Sequence, residues 1–241
     1  MSPVRINKYL ASLGVASRRK IDEMIGEGRV QINNKIAKLG DQINPSVDQV
    51  AIDGKKIGER GEEKVYIILN KPVGYTSTSA KIKGEKNVLE LVPSNVRLYP
   101  VGRLDRDSTG LILLTNDGEL AQKLTHPKYH VPKTYEAKVL GDVNKAQLEM
   151  IRKGIKLEEG ITKPAKVQIK SQSLPHHSIL KITLYEGKKR QIRRMLAILH
   201  LHILELKRIS VGSIKLGDLP TGKFRNLTNE EITKLQNSHQ T

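Results

Sequence analysis

Residues 58–63 read Gly-Glu-Arg-Gly-Glu-Glu, a charged stretch with no apolar side chain and no periodicity. Nothing in it invites burial, and the hydrophobic pattern differs on its two sides, so it predicts a linker between two separate cores. Residues 1–62 are then a small module with its linker, and residues 63–241 a larger domain. In the module, Ile6, Leu10 and Leu13 recur at helical spacing and halt at Gly14. Ser17 offers an N-cap for a second helix with Ile21, Met24 and Ile25 as its apolar stripe. Residues 29–33 and 35–38 alternate about an Asn-Asn turn, and residues 50–57 supply a last hairpin, which makes the module ααβββ.

From residue 65 the chain alternates strands with a few helices. Val65-Tyr66-Ile67-Ile68-Leu69 reads as a strand running into a turn at Asn70-Lys71-Pro72-Val73-Gly74, and Leu111-Ile112-Leu113-Leu114 as a buried strand. Residues 119–124 read as a short helix stopped before Pro127, and residues 133–139 and 178–185 as antiparallel strands. Residues 190–199 are helical with Ile192, Met195, Leu196 and Leu199 on one face, and residues 203–209 return to strand. Thr228 and Glu231 have capping-box spacing at the start of a final helix. Many antiparallel strands and few helices make an α+β fold. With one Phe and no Trp, its core must come from Ile, Leu and Val.

Forty-two Lys and Arg stand against 25 Asp and Glu, a net charge of +17 that asks for a polyanionic partner. Residues 1–62 hold eleven basic and eight acidic residues, a net of +3, which leaves +14 for the larger domain. Within the module, Arg5, Lys8, Arg18, Arg19, Lys20 and Arg29 gather on and around the two helices, as a face for a polyanion or as plain solvated helix faces. The absence of any long apolar run excludes a membrane-spanning helix. Met1 leads straight into a polar helix pattern with no apolar signal core, and a cytoplasmic protein is expected. The absence of cysteine excludes disulfides and thiolate metal sites. His176-His177, in a polar loop, and His200 and His202 lack ligand spacing, so no metal is assigned.

The reactive stretch is residues 102–118, Gly-Arg-Leu-Asp-Arg-Asp-Ser-Thr-Gly-Leu-Ile-Leu-Leu-Thr-Asn-Asp-Gly. It sets a carboxylate, Asp105, between Arg103 and Arg106 just before an apolar strand. Opposite charge favours the ionised form of a carboxylate, which can then act as nucleophile or base. Asp107 is expected to point elsewhere on extended chain. Asp105, Asp107, Thr109 and Gly110 also fall at positions one, three, five and six of a calcium loop. The twelfth position is Asn116 and not a bidentate Glu, and Arg106 adds a cation, which argues against calcium.

Together with Lys133-Thr134-Tyr135 and Glu186-Gly187-Lys188-Lys189-Arg190-Gln191-Ile192-Arg193-Arg194-Met195, this stretch resembles the RsuA/RluB branch of the ribosomal RNA pseudouridine synthases in order and spacing. Residues 5–57 resemble the S4 RNA-binding module that such enzymes carry in front. The resemblance implies a mixed, mainly antiparallel sheet and a monomer. It also implies cofactor-free conversion of uridine to pseudouridine in ribosomal RNA or a pre-ribosomal particle, with a lean toward the large subunit over the small. It makes Asp105 the nucleophile, by attack at ribose C1′, addition at uracil C6, or elimination. Tyr135 becomes the ring that stacks on a flipped uracil and takes its C5 proton, and Arg193 the arginine that pairs with and orients Asp105. Lys188, Lys189, Arg190 and Arg194 become phosphate contacts, and Arg103 a backbone or base-flipping contact. Asn70-Lys71-Pro72 matches the family's entry loop, for which only a positioning role is expected, and Lys71 is counted with the RNA-binding cations. Turn capping by Asp105 and simple half-burial of Tyr135 are the plain alternatives. A non-catalytic RNA-binding assembly factor is the competing class, and the intact Asp105, Tyr135 and Arg193 argue against it.

Overall fold

The computed structural model describes residues 3–58, 63–80, 82–173 and 177–237. Packing divides the chain into two units, Met1–Lys64 with Asn95–Arg97, and Val65–Ser94 with Leu98–Thr241. Residues 59–62 of the expected linker lie outside the described residues.

In the small unit the helices Ile6–Ser12 and Arg18–Gly26 bury Ile6, Leu10, Ile21, Met24 and Ile25 in one core. The Ser17 hydroxyl accepts from the Lys20 N–H at 3.1 Å and caps the second helix. Four short strands form a sheet in the order Lys35–Ile36, Val30–Ile32, Val50–Ile52, Lys55–Lys56. Asn33 and Asn34 turn the first hairpin with φ of 49° and 66°, the left-handed pair that a two-residue connection with the right twist needs. A further ladder pairs Val4–Arg5 with Gln42–Ile43. Two-residue strands have no period to read, so the alternation pattern missed it.

The large unit is α+β, built on one sheet. From edge to edge it runs Lys166–Ser173, His177–Leu184, Lys133–Leu140, His202–Val211, Thr109–Thr115, Tyr66–Lys71 and Phe224–Asn226. Tyr99–Val101 also pairs with Thr109–Thr115, and Ile214–Lys215 with His202–Val211. Every ladder among the described residues is antiparallel except the one joining His202–Val211 to Thr109–Thr115, through Lys207 with Thr109 and Arg208 with Gly110. This parallel seam separates two cores. One packs the helices Lys145–Lys153 and Gln191–Ile198 against the Lys133–Leu140 half; the other packs Gly118–Thr125 and Asn229–Asn237 against the Tyr66–Lys71 half.

Local chemistry fixes the ends of these elements. Asp117 accepts from the Glu119 and Leu120 N–H groups and caps its helix, while its other oxygen accepts from the Tyr66 hydroxyl at 2.8 Å. Thr228 and Glu231 form the expected reciprocal cap. The Lys145–Lys153 helix and the Lys166–Ser173 strand went unread, although Asn144 and Gln147 make a full capping box at the helix start. The strand expected at residues 65–69 continues through Asn70 and Lys71, which stay in register with Leu111 and Gly110. Among the described residues no helix is long and apolar enough to cross a membrane.

At the seam the two backbones nearly touch. A Cβ on Gly110 would lie 2.2 Å from the Arg208 carbonyl oxygen, and Gly110 has φ of +103°, a conformation L side chains rarely adopt. Gly110→Ala is expected to destabilise the large unit by about 3 kcal/mol or more. A lower urea midpoint measures this; an unchanged midpoint would show that the seam can open freely.

Candidate active site

Asp105 lies on the loop between Tyr99–Val101 and Thr109–Thr115, immediately before the seam. The chain turns tightly there, with the Ser108 N–H donating to the Asp105 carbonyl at 3.0 Å. Asp107 is therefore part of the same turn and not on an extended strand that carries it away. The Asp105 side chain is 31% exposed, open enough for a substrate atom to reach it.

The segment from Lys71 to Gly74 runs alongside this turn and holds it. The Gly74 N–H donates to the Arg106 carbonyl at 2.9 Å, and Arg106 Nε donates back to the Gly74 carbonyl at 3.2 Å. Lys71 Nζ donates to the Ser108 carbonyl at 2.7 Å and to Pro72 at 2.9 Å, with Arg106 at a longer 3.4 Å. This corrects the expectation that Lys71 contacts RNA: it is fully buried. Burial pushes its ammonium down to about 8, against the opposing pull of Asp107 and Asp105. Its three protons meet three carbonyls, two of the turn and one of Pro72 beside it, a structural task that a surface cation could not perform.

The helix Gln191–Ile198 brings in the arginines. Arg190, in a left-handed conformation at the helix N-cap, donates to both Asp107 oxygens, at 3.3 and 3.1 Å, and its Nη1 lies 3.9 Å from Asp105 Oδ2. Arg193 does not pair with Asp105. Its Nη2 donates to the Asp107 carbonyl at 3.0 Å and to Ser108 Oγ at 3.2 Å, and lies 3.4 Å from the Asp107 carboxylate. Burial works to raise the Asp107 carboxyl, but the Arg190 hydrogen bonds and the two guanidinium charges outweigh it and hold the group below its usual range. The cation beside Asp105 is thus Arg190 and not its chain neighbours: Arg106 is turned to Gly74, and Arg103 is exposed with no ion pair among the described residues. Arg190 already holds the Asp107 carboxylate, one of the two that a calcium loop would use.

Tyr135 enters from the strand two places across the sheet. It is opposite Arg208, and Arg208 is opposite Gly110, so one transverse row links tyrosine, arginine and the end of the Asp105 loop. At normal strand spacing the row spans about 10 Å. Tyr135 is half-buried against the core, and its hydroxyl makes no hydrogen bond among the described residues. Arg208 is buried and its Nε donates to the Leu111 carbonyl at 2.7 Å, a second tie across the seam.

The remaining cations divide into bound and free. Arg194 is held by Glu159 through two hydrogen bonds, at 2.7 and 2.5 Å, so the phosphate contact expected of it requires breaking that pair. Lys188 reaches the Ile161 carbonyl at 3.4 Å, and Lys189 is exposed without an ion pair among the described residues. In the small unit, Lys20 pairs with Glu23, Arg18 donates to Asn7, and Arg29 is clamped by Asp53 and Glu27. Lys8 is half-buried. Arg5 and Arg19 are exposed and carry no ion pair among the described residues. His176 lies outside the described residues, and His177 opens a strand. Among the described residues no group of three or more His, Asp or Glu side chains is placed to hold a metal ion.

A reachable carboxylate at a sheet seam, with arginines on one side and a phenol on the other, suits chemistry on a base within a polyanion. The RNA pseudouridylate synthase family matches residues 65–198, and the S4 domain matches residues 4–50. The chain belongs to the RNA pseudouridylate synthase family and is an RNA pseudouridine synthase, an isomerase. It is 45% identical to the ribosomal large subunit pseudouridine synthase B of Bacillus subtilis, over 96% of this chain and 95% of that one. It is 37% identical to the dual-specificity RNA pseudouridine synthase RluF of Escherichia coli, over 97% of this chain and 79% of the relative. A solved pseudouridylate synthase superposes with a TM-score of 0.70 at 32% identity, covering 96% of this chain and 99% of that one.

The buried position of Lys71 has a measurable consequence. Lys71→Met takes the Lys71 donor from the Ser108 and Pro72 carbonyls, at roughly 1–3 kcal/mol for each stranded group, and turnover should slow while RNA affinity holds. Its folded value of about 8 lies below the ordinary 10.5, so the unfolded chain binds more protons between those limits. Wild-type stability should therefore gain from this group as pH rises from about 8 to 10.5, and Lys71→Met should lack that gain. Denaturant titrations across the window test both; a variant of unchanged stability but weaker RNA binding would return Lys71 to the surface role.

Proposed function

We propose that this enzyme converts a uridine of large-subunit ribosomal RNA to pseudouridine, on the RNA or on a pre-ribosomal particle, with Asp105 as its nucleophile. The carrying observation is the Asp105 turn: a partly exposed carboxylate whose backbone is fixed from Lys71 and Gly74 and whose one close cation stands at 3.9 Å. The large-subunit target is supported by the Bacillus subtilis relative, which is similar across both units. The reaction breaks the bond from ribose C1′ to uracil N1, forms one from C1′ to C5, and moves a proton from C5 to N1, so no oxidant or cofactor enters the balance. The electron pair of the broken bond stays on uracil. Attack at C1′, addition at C6, and elimination each begin at Asp105. Tyr135, with its hydroxyl unengaged, is the group to stack the uracil and receive the C5 proton. Arg190 and Arg193 hold the turn and offer cations to the phosphates on either side of the target.

Asp105→Asn keeps size and removes charge and nucleophile. It should leave fold and RNA affinity intact and suppress tritium release from C5-labelled uridine by roughly 10³-fold or more, equivalent to about 4 kcal/mol. Asp107→Asn keeps the nucleophile but loosens two arginines, and a loss of about tenfold is expected. Tyr135→Phe should bind RNA normally and turn over slowly. Release at the wild-type rate by Asp105→Asn would end the nucleophile reading. Mapping of pseudouridines in both ribosomal RNAs of a deletion strain tests the target, and a missing small-subunit site would overturn the large-subunit assignment.

RNA affinity should also fall steeply with salt, since neutralising phosphates releases counterions. An association constant independent of salt, measured by filter binding, would refute electrostatic capture.

A further inference from the structure

The residue just before Asp105 has both of its backbone polar groups bonded to a single side chain. The Ser77 hydroxyl accepts from the Leu104 N–H at 3.0 Å and donates to the Leu104 carbonyl at 3.0 Å. A hydroxyl carries one proton and two lone pairs, so both bonds form at once. Ser77 and Leu104 are both buried, and neither Leu104 group has water to turn to if the hydroxyl is lost.

Ser77 is itself anchored. The Thr76 N–H donates to the Lys86 carbonyl at 2.9 Å, and the Val88 N–H to the Thr76 carbonyl at 3.0 Å. Asn87 closes a capping box on the short helix Val88–Leu91. The hydroxyl therefore projects from a fixed frame and not from a loose loop. Upstream of Asp105 the backbone passes through Gly102 in a left-handed conformation, φ +75°, which glycine adopts without steric cost. Downstream, Gly74 and Lys71 hold Arg106 and Ser108. Among the described residues, Ser77 is what holds the polar backbone of Leu104.

We propose that Ser77 is a positioning residue for Asp105, fixing the peptide units on which the nucleophile's side chain is mounted. The assignment rests on the reading of Asp105 as nucleophile. Its physical force is geometric: an attacking atom must sit within a few tenths of an ångström of its line of approach, and a displacement near 1 Å costs on the order of 10²-fold in rate. RNA capture is shared among many cations of a chain with net charge +17 and is far less sensitive to a displacement of that size.

The test uses the full chain with Ser77→Ala, Ser77→Thr and Asp105→Asn, assayed on C5-tritiated RNA with melting curves recorded beside. Ser77→Ala should lose about 10- to 100-fold in kcat with the KM for RNA within about twofold of wild type, at a temperature where the protein is folded. Ser77→Thr retains the hydroxyl and should recover most of that rate. If Ser77→Ala turns over like wild type while Asp105→Asn is dead, the positioning role is overturned and the nucleophile reading stands. If Ser77→Ala raises KM alone, or Ser77→Thr folds with a kcat as low as that of Ser77→Ala, the role is also overturned. If Asp105→Asn is active, both readings fall together.

Discussion

The large unit depends on a close approach between two backbones. His202–Val211 and Thr109–Thr115 meet over two residue pairs in parallel, and they meet there because Gly110 has no Cβ to collide with Arg208. Antiparallel ladders on either side bring their own helices and cores, so this short contact is what turns two half-sheets into one. Arg208 reinforces it from its side chain, whose Nε bonds the Leu111 carbonyl across the same gap. A charge-assisted bond inside a dry sheet is stronger than its neutral equivalent, which suits a ladder too short to hold by number. The site follows from the seam. Asp105 is on the loop that leads into one strand, Tyr135 pairs with the other, and Arg190 and Arg193 come from the helix that packs beside them.

The charges at this site are divided between two aspartates with different tasks. Asp107 takes two hydrogen bonds from Arg190, and its backbone carbonyl takes one from Arg193, so most of the donor capacity of the two arginines goes to holding the turn. Asp105 is left with a single contact at 3.9 Å, beyond hydrogen-bonding range. A carboxylate saturated with donors is a poor nucleophile, because the lone pairs that would attack are already engaged. Beneath the turn, the buried Lys71 supplies positive charge close to both carboxylates while directing its protons at carbonyls. The arrangement keeps the turn electrostatically balanced and the Asp105 oxygens available.

Much of this was legible in the sequence where a pattern is local. The stripe Ile192, Met195, Leu196, Leu199 marked the helix that carries Arg190 and Arg193, and the run Leu111-Ile112-Leu113-Leu114 marked the strand behind Asp105. What failed was partner choice. Arg193 was matched to Asp105 by resemblance, yet Asp107 is two residues away on the same turn, and only folded coordinates distinguish carboxylates so close in sequence. Lys71 is counted with the RNA-binding cations through the match of Asn70-Lys71-Pro72 to the family's entry loop, although a lysine is rarely buried without acidic partners. Nothing in Asn70-Lys71-Pro72 announces that two carbonyls from a turn some 35 residues on will receive its protons. The same holds for Ser77, an ordinary serine until its contact with Leu104 is seen.

The surface cations obey a related logic. Lys20, Arg29 and Arg194 were expected to meet phosphate, and each already has an acidic partner of its own. Exposed ion pairs contribute little to stability, a median near 0–1 kcal/mol, so such a pair can be exchanged for phosphate at small cost. On the proposed RNA-binding role, these paired cations would exchange carboxylate for phosphate once RNA is close. On the same proposed role, first attraction would fall to the cations without ion-pair partners among the described residues, Arg5 and Arg19 in the small unit and Arg103 and Lys189 in the large one, together with the field of the net +17 charge. Arg103 is two residues from Asp105, so a phosphate drawn to it would lie beside the proposed nucleophile. Capture at long range and placement at short range are thus joined on one loop.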